Sequence, residues 1–336
     1  MRKLRVWMGI LISLLFLFLI IRKVDPQQVG TTLSQARYIY LLPALFFTLL
    51  AFLFRSIRWQ YILKPLRRFR VAELFEVIMI GAMANHILPA RAGEFVRALI
   101  LREKMSGAQV FATIIVERVY DTVSLLFVLA GLSLLFPLSP EIRHAGSVLG
   151  LVFCIIIGCL ALLLYKEDQF LRFMRKLLGF FSSSFSGKVI SLMERFVTGF
   201  RILRGTKRVI FTFVLSLVIW CVTAFVVSSI FWTMNIRAPW HASLVVLIFV
   251  SFGYLIPSSP GAIGTYHFFC ISALSLFAVG KSQSLGFAVI LHASQYIPLT
   301  VLGFVFFFKR NLSFRELKRS EVFRPGVEDH ASHTTP

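Results

Sequence analysis

Long apolar runs separated by short polar segments dominate the pattern along the chain. A bilayer needs about 20 predominantly apolar residues per helical span. A run near the N-terminus follows Arg-Lys-Leu-Arg and has no small-x-small cleavage pattern before Asp25-Pro26, so we interpret it as a retained anchor helix. With it, the pattern predicts about six full spans: residues 6–21, 38–54, 108–136, 147–165, 209–234 and 284–308.

Two further apolar regions, residues 71–104 and 242–280, are interrupted by helix-breaking residues. Proline removes a backbone donor and clashes with the preceding turn, and closely spaced Pro and Gly demand irregular backbone. We predict that each region folds back as a re-entrant hairpin, which non-helical backbone permits where it is buried in protein or lines a wet cavity. The hairpin-forming residues we assign are Pro89 in the first region and Pro257, Pro260, Gly261 and Gly264 in the second.

The basic residues predict the orientation. The chain has 36 Lys and Arg against 15 Asp and Glu, a net charge of +21. With a cytoplasmic N-terminus and two hairpins that return to their own side, 29 basic residues fall inside, six outside and one, Arg118, within a span. Such an excess is typical of cytoplasmic loops. We therefore expect a bacterial-type inner membrane protein whose N- and C-termini are both cytoplasmic.

Composition excludes the soluble classes. The chain is 57% hydrophobic with 36 Phe, and only 15% of its residues are charged, against about 25% in globular domains. In a soluble protein the basic excess would suggest a nucleic-acid partner, but here membrane topology and anionic lipid explain it, so we expect no nucleic acid. The chain is thus predicted to be an all-α polytopic membrane protein.

The order of spans and hairpins predicts an inverted repeat. Helix, helix, hairpin and helix occur in residues 1–136 and again, with opposite orientation, in 147–308, which is a recurrent transporter design. Residues 1–310 would then form a single membrane domain. Residues 166–208 would be a cytoplasmic connection, either an amphipathic helix in the headgroup layer or a solvated loop. Residues 311–336 would be a polar cytoplasmic tail.

Ionisable residues inside apolar segments are the candidate site. Glu117, Arg118 and Asp121 lie within a predicted span, where a central charge costs about 2.5–3.5 kcal/mol and requires a partner or water. They either lock helices together through salt bridges or form one wall of a polar cavity. In the first hairpin, Arg91 and Arg97 could contact a phosphate, and the free N–H groups at the start of the outgoing helix, near Gly93, could bind an anionic headgroup. Asn85, Gly93 and Glu94 are predicted to bind substrate with them, and Glu94 would either neutralise the arginines or accept protons.

The same hairpin could also be an ordinary loop of mixed charges. The second hairpin has no charge at its tip but offers Tyr266 and His267. We expect these two residues to line the outer end of the same cavity, although packing by small residues alone would explain this segment equally well.

Motifs for other chemistries are absent from the sequence. We find no GxxxxGK[ST], HExxH or GxSxG pattern. Cys154, Cys159, Cys221 and Cys270 all lie in apolar runs without the spacing of metal ligands, so we interpret them as packing residues. We accordingly expect no metal and no cofactor.

Three segments together resemble a known family: residues 84–101 (ANHILPARAGEFVRALIL), 114–121 (IIVERVYD) and 257–269 (PSSPGAIGTYHFF). They are similar to the flippase-like membrane domain of lysylphosphatidylglycerol synthases, and the likeness covers about residues 1–310. In those synthases the membrane domain is associated with moving aminoacylated phospholipid, whereas a soluble domain outside the likeness transfers the aminoacyl group. The resemblance therefore implies lipid translocation and not synthase activity.

Relatives linked to isoprenoid-linked sugars or hopanoids leave the lipid open, and a lipid-modifying enzyme is an expected partner. The resemblance implies cavity roles for Arg91, Gly93, Glu94, Arg97, Glu117, Arg118 and Asp121, and hairpin roles for Pro257, Gly261 and Gly264.

Three functions remain open at this point. The chain could be a translocase that moves an anionic or isoprenoid-linked lipid headgroup through a polar groove. It could be an intramembrane enzyme that uses Glu94, Glu117 or Asp121 as acid or base on a lipid-linked substrate. It could also be a membrane scaffold or accessory subunit. The oligomeric state and the driving force stay open.

Overall fold

The computed structural model describes residues 2–22, 24–88, 92–135, 205–256 and 259–313, and only scattered positions between 136 and 204. In this part of the chain the regular structure is helical and no strand occurs, which confirms the all-α class. Several predicted features lie outside the described residues: Pro89, Arg91 and Pro257, the span at 147–165, nearly all of the connection at 166–208, and the tail beyond residue 313.

Ten α-helices and two short 3-10 turns, Tyr38–Tyr40 and Pro260–Ala262, make up the described part. The helices are α1 (Arg2–Ile21), α2 (Pro26–Ser34), α3 (Leu41–Leu63), α4 (Val71–Ile87), α5 (Gly93–Leu101), α6 (Gly107–Leu135), α7 (Thr206–Thr233), α8 (Ala242–Leu255), α9 (Thr265–Ser275) and α10 (Lys281–Lys309).

Four helices of the described part are long and apolar enough to cross a bilayer: α3 with its preceding 3-10 turn, α6, α7 and α10. They confirm the spans predicted near residues 38–54, 108–136, 209–234 and 284–308. Large apolar side chains such as Phe46, Val214 and Val301 remain half exposed on them, which suits a lipid-facing surface. The chain is a multi-pass membrane protein. The apolar part of α1 whose side chains are described, Leu11–Ile20, is shorter.

Helix α3 differs from the predicted span because it continues to Leu63 instead of ending at residue 54. Arg55 and Arg58 therefore lie inside the helix and not in a loop. The helix tolerates them because their guanidinium groups are paired with carboxylates of α6.

The first interrupted region forms a helical hairpin from α4 and α5. The amide of Gly93 donates to Asn85 Oδ1 at 2.8 Å, and one turn away Gly81 lies against the Arg97 side chain. At 1.5 Å per residue α5 is only about 14 Å long, well below the roughly 30 Å hydrocarbon thickness. Both ends of the hairpin lie together, since Lys104 Nζ is 2.6 Å from Glu73 Oε1.

The second interrupted region, α8 and α9, also folds back on itself. In the break between them Gly261 has φ +71° and Gly264 has φ +97°, conformations that glycine adopts without a steric cost. Helix α1 packs directly on this break: the Ser259 amide donates to Ser13 Oγ at 2.9 Å, and the Ser13 backbone leaves no room for a side chain at position 264.

The order of elements fits the predicted repeat as far as the described residues reach. Helix α3, the first hairpin and α6 correspond to α7, the second hairpin and α10, and the corresponding helices α3 and α7 pack along each other. The counterpart of α1 would be the span at 147–165, which the structure does not describe. The repeat therefore stays a prediction.

Candidate functional site

A group of charged side chains lies where α3, α5 and α6 meet. We call it the charge cluster, and it contains four arginines and three carboxylates, a formal charge of +1: Arg55, Arg58, Glu94, Arg97, Glu117, Arg118 and Asp121. Helix α3 supplies the first two, α5 supplies Glu94 and Arg97, and α6 supplies the rest. It joins the first hairpin to two crossing helices.

Arg58 is the centre of the buried half of the cluster and is only 1% exposed. Its Nη1 donates to Asp121 Oδ1 at 2.6 Å and to Ser216 Oγ of α7 at 2.8 Å. Its Nη2 lies 3.9 Å from Glu117 Oε1. A charge this deep is tolerated only with partners that neutralise it, so Arg58 fixes α3, α6 and α7 relative to one another.

Arg97 completes the buried half from the hairpin side. Its Nη2 donates to Glu117 Oε2 at 2.5 Å, and its guanidinium carbon lies 3.8 Å from the centroid of the Trp59 ring. The indole of Trp59 is held in turn, since its Nε1 donates to Thr113 Oγ1 at 3.1 Å. A cation over an indole face gains further electrostatic attraction. Arg97 is thus engaged with protein partners, although the sequence suggested it as a phosphate ligand.

The other half of the cluster is open. The Arg118 side chain is 49% exposed, and it donates to Glu94 Oε1 from Nε at 3.1 Å and from Nη2 at 2.7 Å. The side chain of Arg55 is 23% exposed, and its Nη1 lies 3.6 Å from Asp121 Oδ2. The exposed guanidinium of Arg118 is thus the part of the cluster that an incoming anion can contact.

Spare hydrogen-bond donors accompany this positive balance. In the part of the chain that the structure describes, the Nε atoms of Arg55, Arg58 and Arg97 are buried and have no hydrogen-bond partner. Guanidinium groups have five N–H donors in a planar fork that matches the oxygens of phosphate and carboxylate. The charge cluster is chemically suited to bind an oxyanion beside Arg118 and Arg55, while the buried ion pairs of Arg58 and Arg97 hold the helices in place.

The tip of the first hairpin uses its polar groups internally. Asn85, predicted as a ligand, caps α5 by accepting from the Gly93 amide, so that N–H is not free to bind an anion. Gly93 itself lies against the Gly81 carbonyl oxygen and leaves no room for a side chain. Pro89 and Arg91 of this tip lie outside the described residues.

Tyr266 and His267 lie in a different group from the charge cluster. They are buried in α9 and have ring contacts with His292 of α10, at centroid distances of 4.6 and 5.1 Å. Among the described residues, no hydrogen bond or ion pair joins them to the seven charged residues. That both hairpins line one cavity stays a prediction.

Sequence reasoning did not select Arg55, Arg58 or Trp59, because the span was ended at the first arginine. Two sequence features could have indicated these residues. The apolar stretch Tyr61-Ile62-Leu63 after Arg58 extends the helix, and the i,i+3 spacing of the two arginines places both on one face. In the described residues, no group of three or more His, Cys, Asp or Glu side chains is placed to hold a metal ion.

Comparison with known proteins gives one family and two relatives. Residues 6–303 match the family described as the lysylphosphatidylglycerol synthase TM region. The glycosyltransferase AglD of Haloferax volcanii is 27% identical over 344 residues, which cover 90% of this chain and 54% of the relative. The UPF0104 membrane protein MJ1595 of Methanocaldococcus jannaschii is 29% identical over 123 residues, 35% of this chain and 37% of the relative. The chain thus spans about half the length of the Haloferax protein.

Proposed function

The chain belongs to the family of the lysylphosphatidylglycerol synthase transmembrane region, and from that premise we propose that it is a lipid translocase for an anionic or isoprenoid-linked headgroup. The observation that carries the proposal is the charge cluster, a net-positive group of seven ionisable side chains between membrane-crossing helices. Ionisable residues at membrane depth are costly, and they commonly mark a pathway for a polar substrate.

The charge cluster has a buried half and an exposed half, and this arrangement supports transport of an anion. The cluster is positive by one charge, and its Arg118 side chain is 49% exposed, which favours an anionic ligand. We propose that the lipid phosphate binds beside Arg118 and Arg55 while the acyl or prenyl chains remain in the bilayer. Arg91, which precedes α5 in the sequence, is proposed as a further ligand of the phosphate.

The two hairpins supply the scaffold of this proposal. We propose that both are re-entrant, since α5 and α9 are too short to cross, and that they belong to an inverted repeat. Under this arrangement the first hairpin enters from the cytoplasm, both termini are cytoplasmic, and the protein lies in the inner membrane.

An intramembrane enzyme is the second candidate, because one relative is described as a glycosyltransferase. Only 54% of that relative is covered, so its name does not assign a reaction to this chain. In this reading Glu94, the partly exposed carboxylate beside Arg118, would be the acid or base. Product formation from a lipid-linked sugar would support it.

The test is a sidedness assay in liposomes containing the purified protein. Fluorescent phosphatidylglycerol, a polyprenyl phosphate and phosphatidylcholine serve as anionic, isoprenoid and zwitterionic probes, and an impermeant quencher reports transfer between leaflets. Arg118→Gln removes charge-assisted hydrogen bonds of about 1.5–3 kcal/mol, so we expect a roughly 10- to 100-fold slower transfer of the preferred anionic probe.

Lys104→Gln is the matched control. Lys104 and Arg118 have side chains 48% and 49% exposed, and their ion pairs measure 2.6 and 2.7 Å, but Lys104 lies at the base of the hairpin and outside the cluster. We expect near-parental transfer with Lys104→Gln. Equal rates for both variants would exclude Arg118 as a ligand, and transfer of both anionic probes at the rate of protein-free liposomes would overturn the proposal.

A further inference from the structure

Five aromatic side chains meet where the two hairpins come together. We call them the ring cluster: His86 of α4, Tyr266 and His267 of α9, and His292 and Tyr296 of α10. His86 stacks on Tyr296 with centroids 4.2 Å apart, Tyr266 stacks on His292 at 4.6 Å, and His292 lies 5.4 Å from Tyr296. Three histidines from three different helices thus share one continuous set of ring contacts.

The ring cluster is also the contact between the hairpins. Tyr296 Oη donates to the carbonyl of His86 at 3.2 Å, so α10 is attached to the end of α4. On the other side Tyr296 packs against Gly261, and His292 hydrogen-bonds the backbone of Gly261 in the second hairpin. Because Tyr296 contacts both breaks, a change in its packing is transmitted to both hairpins.

The ring cluster contains buried polar atoms without hydrogen-bond partners among the described residues. His267 is 8% exposed and its Nδ1 has no hydrogen-bond partner in the described part of the chain, and the hydroxyl of the 1%-exposed Tyr266 has none either. A buried polar atom without a partner is uncommon and calls for a role. His86 is only half-buried, and its Nδ1 lies 2.7 Å from Thr300 Oγ1, which gives a polar approach to the two deeper histidines.

Among the residues that the structure describes, no acidic side chain is paired with the histidines to compensate an added proton. The titratable groups that face the cluster are His86 from α4, Tyr254 from α8, Tyr266, His267 and Cys270 from α9, and His292 and Tyr296 from α10. Among the described residues, no hydrogen bond or ion pair connects Asp or Glu to the three histidines. Protonation therefore places a positive charge in an apolar contact, and a second proton adds like-charge repulsion across 5.1 Å between the rings of His267 and His292.

We propose that the ring cluster is a proton-binding site and that its protonation separates the two hairpins. The apolar surroundings disfavour an imidazolium, so protonation favours hydration of the ring cluster and, with it, movement of α4, α9 and α10 apart. Histidine is the side chain whose charge changes most readily between about pH 5 and pH 8. The site is distinct from the charge cluster, and its operation does not depend on which lipid is moved.

The test measures the distance between the hairpins without any lipid assay. In a background with the native cysteines replaced by alanine, Phe95→Cys on α5 and Leu276→Cys beside α9 give two half-exposed positions for spin labels. Double electron–electron resonance in nanodiscs is recorded at about pH 8 and about pH 4, below the range of a free histidine, because the apolar contact opposes protonation. We expect the mean distance to lengthen at the lower pH, and we expect no lengthening in the triple variant His86→Gln, His267→Gln, His292→Gln.

His267→Gln alone provides a milder variant if the triple variant does not fold, and it should reduce the shift. His241→Gln is the matched control, since His241 precedes α8 and its ring contacts Trp240 and Phe277. It should retain the full shift. A parental distance that does not respond to pH, or an equal response in His267→Gln and the parent, would overturn the proposal. Because this experiment does not measure lipid transfer, a negative result would not contradict the proposed translocase function. A negative result in the liposome assay would likewise not contradict the proton-binding site.

Discussion

Arg97 and Glu117 form the ion pair whose removal tests the buried half of the charge cluster most directly. Their side chains are 9% and 6% exposed, and the pair joins the short hairpin helix α5 to the crossing helix α6. Glu117→Gln removes one negative charge, so the cluster changes from +1 to +2 and leaves Arg97 without its partner. Breaking a buried pair from one side costs about 3–5 kcal/mol, mainly because the remaining charge stays desolvated.

The complementary change, Arg97→Met, leaves Glu117 with the more distant Arg58 at 3.9 Å. Methionine preserves much of the contact with the Trp59 ring, so the loss is mainly electrostatic. We expect about 3 kcal/mol for this variant too. In the double variant neither charge is left uncompensated, so its loss should be close to that of one single variant and far below their sum.

The free energy of unfolding can be followed by tryptophan fluorescence during denaturant titration in mixed micelles. A double-variant cycle then gives the coupling between Arg97 and Glu117, which we expect to be about 3 kcal/mol, the upper end for residues in contact. Lys104→Gln, which breaks an exposed pair, should cost at most about 1 kcal/mol. Single losses that add within about 0.5 kcal/mol would refute the pairing and the structural role assigned to it.

Two further predictions concern the hairpin and the orientation. Gly93→Ala should abolish accumulation of folded protein, because a Cβ there meets the Gly81 carbonyl oxygen and lies 2.7 Å from Asn85 Oδ1. Gly107→Ala is the control, because a Cβ at position 107 has no atom within 4 Å. The control protein should retain the parental yield and thermal midpoint after purification. In a cysteine-free background, Arg68→Cys should be shielded from an impermeant maleimide in intact cells and Gln35→Cys should be labelled, since α3 lies between them; the opposite pattern would reverse the proposed topology.

Much of the architecture follows from local features of the sequence. Four apolar runs form four long helices because a segment in lipid must pair every backbone hydrogen-bonding group internally. The length and apolarity of a run are therefore sufficient to predict such a helix. The breaks were also predictable. Gly261 and Gly264 stand where the chain adopts positive φ, which a side chain would oppose. In each case the information lies within a few neighbouring residues.

The candidate site was predictable only in part. The sequence indicated that Glu117, Arg118 and Asp121 need partners, because charges in an apolar run are costly wherever the helix packs. It did not indicate that Arg58 of α3 would be the partner of Asp121, or that Arg97 would be held between Glu117 and Trp59. Nor did it show that Asn85 would be used to cap α5.

The separation of the charge cluster from the ring cluster was decided by tertiary structure alone. Apolar length and helix breaks depend on neighbouring residues, so the sequence determined the presence of the spans and hairpins, although the paired arginines extended α3 to Leu63. Which arginine meets which carboxylate, and which histidine stacks on which tyrosine, depends on the packing of helices far apart in the chain. His86 and Tyr296 are 210 residues apart, and only the approach of α4 to α10 brings them together.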